Sequence, residues 1–208
     1  MKIRIMVSLC AALIGGCMPV TDTAGWRATR FYTIPEFYFA ICSAETGGEK
    51  NPWIRTRCKP YKNEQGKWIG SSTAYGPAQV TGTLVRDFVF RYPRQFHHMD
   101  KFIKSYLTQA DLFVKHGMNQ EDPEYDENFD YGGKGFIAQG AGRRWYQAMT
   151  QRIMDLQEKE ELAHLGKTPD PHKLLCRKVA RWCGRKEADA PAYYARVFLY
   201  LQQTDALR

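Results

Sequence analysis

The spacing of the apolar residues constrains the fold of this 208-residue chain more than any other sequence feature. Over several long stretches apolar side chains recur every three or four residues, which places them on one face of a helix. Almost nothing alternates with the two-residue period of a strand. Residues 98–116 show the helical period most clearly and are expected to form an amphipathic helix that ends at Gly117. We therefore predict a mainly α fold, with a long ordered loop or a small β-hairpin in residues 49–70.

Further helices are predicted from the same period and from local start and stop signals. They cover residues 34–46, 83–92, about 141–165, 170–183 and 190–203. The third of these helices has four residues that are expected to face the core, namely Trp145, Met149, Ile153 and Leu156. The charged run 158–161 in the same helix is expected to be a solvated face. The last helix is expected to begin at Asp189.

Residues 34–46 carry a strong helix-start signal. Thr33 can accept a backbone N–H as the N-cap, and Glu36 follows three residues later, which is the spacing of a capping box. Pro35 falls in the first turn, where its missing N–H costs no helical hydrogen bond. Gly47 is expected to end the helix, because glycine enters the left-handed conformation without steric cost.

Glu45 lies in the last turn of this helix, among positions that are otherwise apolar. Two effects there disfavour its charged form, because partial burial removes water from the carboxylate and the negative end of the helix dipole is near. A carboxylic acid that keeps its proton is what a general acid in glycoside cleavage needs. A solvent-facing glutamate is the alternative, and the helix alone does not decide between the two.

The N-terminus has the features of a secretory leader. Two basic residues precede an apolar run that is too short to span a bilayer, and small residues then lead to Cys17. The sequence I-G-G-C resembles a bacterial lipobox, which implies a signal peptide in residues 1–16 and a lipid on Cys17. The protein would then be periplasmic and anchored to the (outer) membrane. An ordinary signal peptide cut nearby is the alternative. Residues 17–32 would form a tether and residues 33–208 a single domain.

Four cysteines follow the leader, and an even number in an oxidising compartment predicts two disulfides. They are Cys42, Cys58, Cys176 and Cys183. Three pairings are open. Cys42 with Cys58 would clamp the first helix to the loop after it. Cys176 with Cys183 would need a break in the helix between them, because two helical turns hold the sulfurs too far apart.

The chain is basic, with a formal net charge of +8. This charge suits an anionic partner, such as nucleic acid, acidic phospholipid or an acidic cell-wall polymer. A leader that exports the chain argues against nucleic acid. The histidines lack the spacing of a metal site, and neither a metal nor another cofactor is predicted.

Three motifs follow one another in the first half of the chain. They are Glu45-Thr46, Asn51-Pro52 and Ser72-Thr73-Ala74-Tyr75-Gly76-Pro77-Ala78-Gln79. In this order they resemble the E-S, N-P and S-x-x-A-x-G-L-M-Q motifs of the soluble lytic transglycosylases, a family with a lysozyme-like fold. Residues 138–145 are similar to the family's A-Y-N-A-G motif and the basic helix after it, and residues 190–197 to its closing helix. The resemblance covers residues 34–203.

The resemblance implies a substrate and a reaction. Glu45 would protonate the glycosidic oxygen between N-acetylmuramic acid and N-acetylglucosamine in peptidoglycan glycan strands. Its carboxylate would then take the proton of the muramic acid 6-hydroxyl, which closes on the anomeric carbon and leaves an anhydro end. This internal nucleophile needs neither water nor a second carboxylate.

Substrate-binding residues are implied by the same motifs. They are Ser72, Tyr75, Gly76, Gln79, Gln139 and Tyr193. Gly76 would let the backbone approach a sugar closely, and Gln79 would offer both a donor and an acceptor.

The chain departs from the family where Gln139-Gly140 replaces Tyr-Asn, because the missing tyrosine normally helps to position the acid. Tyr131 or Tyr193 could substitute for it in space. Two further functions stay open. One is a catalytically weak peptidoglycan-binding subunit of an envelope-spanning complex or a phage particle. The other is a lysozyme- or chitinase-like hydrolase.

Overall fold

The computed structural model describes residues 25–47, 53, 56–57, 61–62, 68–69, 74–117, 137, 140–166 and 168–208. Helices account for most of these residues, which confirms the prediction of a mainly α fold. They are α1 (Ile34–Thr46), α2 (Gly82–Arg91), α3 (Pro93–Phe96), α4 (Asp100–Gly117), α5 (Gly140–Leu165), α6 (Pro171–Cys183) and α7 (Pro191–Ala206). None of the described helices is both long enough and apolar enough to cross a membrane.

Helix α1 begins and ends as its sequence predicts. The Thr33 side chain accepts a hydrogen bond from the backbone N–H of Glu36, and the Glu36 carboxylate accepts one from the backbone N–H of Thr33 at 2.7 Å. At the other end Gly47 adopts the left-handed conformation, with φ of 57°, and its N–H donates to the carbonyl of Ser43. Both ends of α1 are therefore set locally, and they place Glu45 in the last turn.

The chain divides into two compact units, with the boundary inside α5 after Leu156. The first unit contains α1, the end of α5, α6 and α7, and in it α7 packs along α1. Its core residues on α1 and α7 are fully or almost fully buried: Phe37, Ile41, Ala44, Val197 and Leu201. The second unit contains the strands, α2, α3, α4 and the first part of α5.

Hydrogen bonds join the segment before α1 to the start of α1 and to the end of α7. The Arg30 guanidinium donates to Glu36 Oε1 at 2.9 Å and to Asp205 Oδ1 at 2.6 Å. The Tyr32 hydroxyl donates to the other oxygen of Asp205. Arg30 therefore joins the start of α1 to the end of α7.

The end of α5 corrects one prediction. Residues 158–161 are not simply a solvated face, because the carboxylates of Glu158, Glu160 and Glu161 pair with cations on α6. Glu161 is only 7% exposed, and Lys178, which pairs with Glu158, is 4% exposed. Burial lowers the pKa of Lys178, and the charge of Glu158 opposes that change. The helix period alone could not reveal this because α6 covers the charged face.

The second unit corrects another prediction, since Tyr146 rather than Trp145 lies in the core. Tyr146 is 0% exposed, whereas Trp145 is 39% exposed. The predicted core residues Met149, Ile153 and Leu156 are buried. Both aromatic residues fit the apolar period of a helix, and only the packing of the neighbouring elements decides which one is covered.

Short antiparallel strands also belong to this unit. Strands β2 (Tyr61–Lys62) and β3 (Trp68–Ile69) pair in the stretch where a small β-hairpin was predicted. A second sheet has the order β1-β4-β5, and its strands are Thr56–Arg57, Ala74–Tyr75 and Val80–Thr81. Tyr75 pairs with Val80, so residues 76–79 form a four-residue hairpin loop between β4 and β5.

The start of α7 differs from the prediction. Asp189 belongs to a short 3-10 turn, Glu187–Asp189, and the residue that caps α7 is Ala190, without a side-chain hydrogen bond. Pro191 occupies the first helical position, as expected from its fixed φ angle. Proline rather than an aspartate cap therefore sets where α7 starts.

Candidate active site

Glu45 is a buried carboxylate at the C-terminal end of α1. Its side chain is 8% exposed, and the preceding inward positions Ile41 and Ala44 are 0% and 2% exposed. A buried carboxylate needs hydrogen-bond partners, because removing it from water is otherwise costly. Of the two alternatives for Glu45, the structure therefore has the one in which it is withdrawn from solvent.

Tyr193 supplies a hydrogen bond to this carboxylate. Its hydroxyl donates to Glu45 Oε1 at 2.8 Å, across 148 positions of the sequence. The contact exists because α7, which carries Tyr193 in its first turn, packs along α1. Tyr193 is one of the residues that the family resemblance implied, and the structure brings its hydroxyl to the acid.

The phenol of Tyr193 is a permanent donor. Burial, the negative charge of Glu45 and their hydrogen bond together raise the pKa of Tyr193 well above that of a free tyrosine. Tyr193 therefore keeps its proton over the pH range in which proteins function. It can hold and stabilise a Glu45 carboxylate, and it does not compete with Glu45 as a base.

Tyr194 anchors the first turn of α7 beside this pair. It is 1% exposed, and its hydroxyl lies 3.0 Å from the carbonyl oxygen of Arg185 and 3.2 Å from that of Cys176. Adjacent residues on a helix point about 100° apart. The buried Tyr194 therefore fixes the rotation of α7 and with it the direction of Tyr193.

Cys183 is a neutral thiol in the same surroundings. Burial raises the pKa of Cys183, and the negative charge of Glu45 raises it further. The thiol donates to the carbonyl oxygen of Arg185 at 3.3 Å. A thiol that keeps its proton next to a carboxylate adds no charge to the site.

The loop of residues 76–79 in the second unit contains two of the other predicted residues, Gly76 and Gln79. The Gln79 N–H donates to the Gly76 carbonyl oxygen at 3.0 Å, which closes a turn with Pro77 at its second position. Gln79 has a φ of 50°, and no other non-glycine residue described here has a positive φ. Its side-chain amide also donates to the Gly76 oxygen, at 2.8 Å. One donor that the sequence assigned to substrate is therefore used to hold the loop.

Packing requires a glycine at position 76, because there is no room for a Cβ there. Its φ is 80°, a conformation that favours glycine, and an added Cβ would lie 2.6 Å from the Tyr146 ring. A buried aromatic ring fills the space where a Cβ would stand, and the approach of the Gly76 backbone to a sugar stays a prediction.

Two buried tyrosines hold the hairpin that contains this loop. The backbone N–H of Ala78 donates to the Tyr146 hydroxyl at 3.2 Å, and the Tyr106 hydroxyl donates to the Val80 carbonyl oxygen at 2.7 Å. The two rings also contact each other, with centroids 6.1 Å apart. Sequence reasoning missed both roles because each tyrosine looks like an ordinary core residue of its helix.

Several predicted residues lie outside the described part of the structure. They are Cys17, Cys58, Ser72 and Gln139. Tyr75 lies in strand β4, and its side chain is also outside that part. The pairing of Cys42 with Cys58 and the proposed lipidation of Cys17 therefore stay predictions.

The structure contains no disulfide between Cys176 and Cys183, and both thiols are described. Helix α6 is continuous from Pro171 to Cys183 and holds the two sulfurs two turns apart. The Cys176 sulfur instead lies 3.6 Å from His172 Nε2, and burial together with the charge of Glu187 raises the pKa of Cys176 to about 11. This pairing is incompatible with the unbroken helix.

Comparisons of the chain with protein-family models, with curated proteins and with solved structures gave no match. Within the described residues no group of three or more histidine, cysteine, aspartate or glutamate side chains is arranged to hold a metal ion. The local geometry of Glu45 and Tyr193 is therefore the basis for any functional conclusion.

Proposed function

We propose that this protein is a peptidoglycan lytic transglycosylase of lysozyme-like fold, with Glu45 as acid and then base. The observation that carries the proposal is the hydrogen bond from Tyr193 to a Glu45 that is 8% exposed. The order of the sequence motifs supports the same function, and so does the mainly helical fold. The substrate would be the glycan strands of peptidoglycan, reached in the periplasm by a lipid-anchored protein.

The first step is cleavage of the bond between N-acetylmuramic acid and N-acetylglucosamine. Tyr193 donates a hydrogen bond to Glu45 Oε1, and Glu45 enters the first step in its protonated form. Glu45 gives this proton to the glycosidic oxygen as the bond to the anomeric carbon breaks, and the N-acetylglucosamine portion leaves with a hydroxyl. Glu45 is then a carboxylate, and the Tyr193 hydrogen bond stabilises its charge.

The second step closes the muramic acid ring on itself. The Glu45 carboxylate takes the proton of the 6-hydroxyl, and O6 bonds to the anomeric carbon. The product is a 1,6-anhydro end, and Glu45 recovers the proton that it gave. Because the nucleophile belongs to the substrate, proximity replaces the activation of water by a second carboxylate.

Digestion of purified peptidoglycan with analysis of the products by mass spectrometry tests the proposal. We expect anhydro-muropeptides from the native protein and none from Glu45→Gln. Glu187→Gln is a matched control, because it changes an exposed carboxylate of the same unit. Reducing ends in place of anhydro ends would identify a hydrolase. Binding without any products would identify a peptidoglycan-binding subunit.

A further inference from the structure

Trp145 is an exposed tryptophan of the second unit, and its neighbours in space and along the chain include histidine and arginine residues. The ring is 39% exposed and contacts the His98 ring, with centroids 6.3 Å apart. His98 in turn contacts His97, whose Nδ1 lies 3.0 Å from the Arg94 carbonyl oxygen. Arg144, next to Trp145 in α5, is also exposed. We call Trp145, His98, His97, Arg94 and Arg144 the Trp145 surface.

The two arginines of the Trp145 surface have no ion-pair partner within the described part of the protein. Neither Arg94 nor Arg144 forms an ion pair there, in contrast to Arg86 and Arg91 on the neighbouring helix α2, which pair with Asp111 and Asp87. Exposed arginines that form no ion pair with a described carboxylate, close to an exposed aromatic ring, suit a ligand that has both a flat apolar face and negative charge.

We propose that the Trp145 surface binds a peptidoglycan glycan strand, with a sugar ring stacked on Trp145 and stem-peptide carboxylates paired with Arg144 and Arg94. The C–H face of a sugar covers an indole ring without leaving polar atoms unpaired, and guanidinium groups pair well with carboxylates. The inference rests on the proposed function for the identity of the glycan.

Cosedimentation of the full chain with insoluble peptidoglycan tests the surface separately from the reaction. All proteins carry Glu45→Gln, so that the strands stay intact. We expect Trp145→Ala to raise the Kd about tenfold and Trp145→Tyr to keep most of the affinity. Phe90→Ala is the matched control, because Phe90 is 87% exposed on α2 of the same unit, and its removal should leave the Kd unchanged. Equal binding by Trp145→Ala and Phe90→Ala would overturn the proposal.

The charged part of the proposal has its own measurement. We expect Arg144→Gln to weaken binding at low salt and to reduce the dependence of binding on salt, and we expect this difference to vanish on glycan strands without stem peptides. An Arg144→Gln effect that persists on the peptide-free strands would contradict the pairing with carboxylates. A single-stranded oligonucleotide that displaces the protein more effectively than soluble glycan strands would show that the surface binds nucleic acid.

The two proposals can fail independently. Binding to glycan strands that depends on Trp145, without anhydro products from the native protein, would contradict the proposed reaction and support the proposed binding surface. Anhydro products that depend on Glu45, together with binding that does not depend on Trp145, would support the proposed reaction and contradict the proposed binding surface. A thermal melt of each variant by circular dichroism identifies a loss of binding that comes from unfolding.

Discussion

Helix α1 carries a glutamate near each end, and the two carboxylates have different partners. Glu36, in the first turn, accepts hydrogen bonds from Arg30 at 2.9 Å and from Arg208 at 2.5 Å. Burial by itself would raise the pKa of Glu36, but the hydrogen bonds from Arg30 and Thr33 lower it to about 2. Glu45, in the last turn, accepts a hydrogen bond from the neutral hydroxyl of Tyr193 at 2.8 Å.

This difference separates a structural carboxylate from a chemical one. Cations and the positive end of the helix dipole hold Glu36 in its charged form, so it cannot give up a proton at ordinary pH because it carries none. A neutral donor can hold Glu45 whether Glu45 is protonated or charged. An acid that must give a proton and take one back needs such a neutral hydrogen-bond donor as its partner.

The largest expected effect is on activity at the C-terminal end of α1. Glu45→Gln keeps the shape of the side chain and removes the exchangeable proton. General acid–base catalysis typically contributes about 10²- to 10⁴-fold to the rate. The rate of product formation should therefore fall by at least about 10²-fold. The yield of anhydro-muropeptides measures it. Activity within threefold of the native protein would exclude Glu45 as the acid.

The second effect concerns the partner of the acid. Tyr193→Phe removes the hydroxyl that donates to Glu45. We expect about tenfold lower kcat, because the carboxylate formed in the first step loses a hydrogen bond that favours its charge. Tyr194→Phe is the comparison, since it removes the hydroxyl near Arg185 and Cys176 without touching Glu45. Equal kcat losses in the two variants would mean that Tyr193 acts only through the fold.

The third effect is on stability at the N-terminal end of α1. The folded pKa of Glu36 is about 2 and its ordinary value is 4.5, so the unfolded chain takes up a proton first as the pH falls. The stability that Glu36 contributes is present above about pH 4.5 and is lost as the pH falls towards about 2. After allowance for solvent screening, we expect Glu36→Gln to lower the free energy of unfolding by about 1 kcal/mol at pH 7.

Denaturant unfolding at pH 7 and at pH 3 measures this contribution. The difference between native protein and Glu36→Gln should shrink at the lower pH, and the activity at pH 7 should not change. A difference that is equal at both pH values would show that the ion pairs of Glu36 are not its source.

The smallest effect is expected for Arg208, the outer of the two arginine partners of Glu36. Its side chain is 57% exposed, whereas that of Arg30 is 28% exposed and also reaches Asp205. An exposed ion pair contributes little, so Arg208→Ala should lower the free energy of unfolding by less than about 0.5 kcal/mol. A loss as large as that of Arg30→Ala would mean that the C-terminus is part of the clamp.

Local signals in the sequence were sufficient for the main helices and for both ends of α1. The capping box of Thr33 and Glu36 and the left-handed Gly47 depend only on residues within one or two turns. For this reason the bounds of α1 and the place of Glu45 in its last turn could be read in advance. The same holds for the small hairpin and for the helical period, which depend on neighbours along the chain.

Contacts between distant residues could not be read in this way. The choice of Tyr146 over Trp145 for the core depends on the elements that cover one side of α5. The requirement for glycine at position 76 depends on the Tyr146 ring, 70 positions later. The ion pairs of residues 158–161 depend on α6.

The sequence by itself determined a mainly helical chain with a glutamate in the last turn of a well-capped helix, because caps, turns and the helical period are local interactions. Only the tertiary structure decided that Tyr193 is a hydrogen-bond partner of that glutamate and that Tyr146 and Tyr106 hold the hairpin loop. Those choices depend on which helices pack together, and packing is set by the whole set of buried surfaces rather than by any one segment.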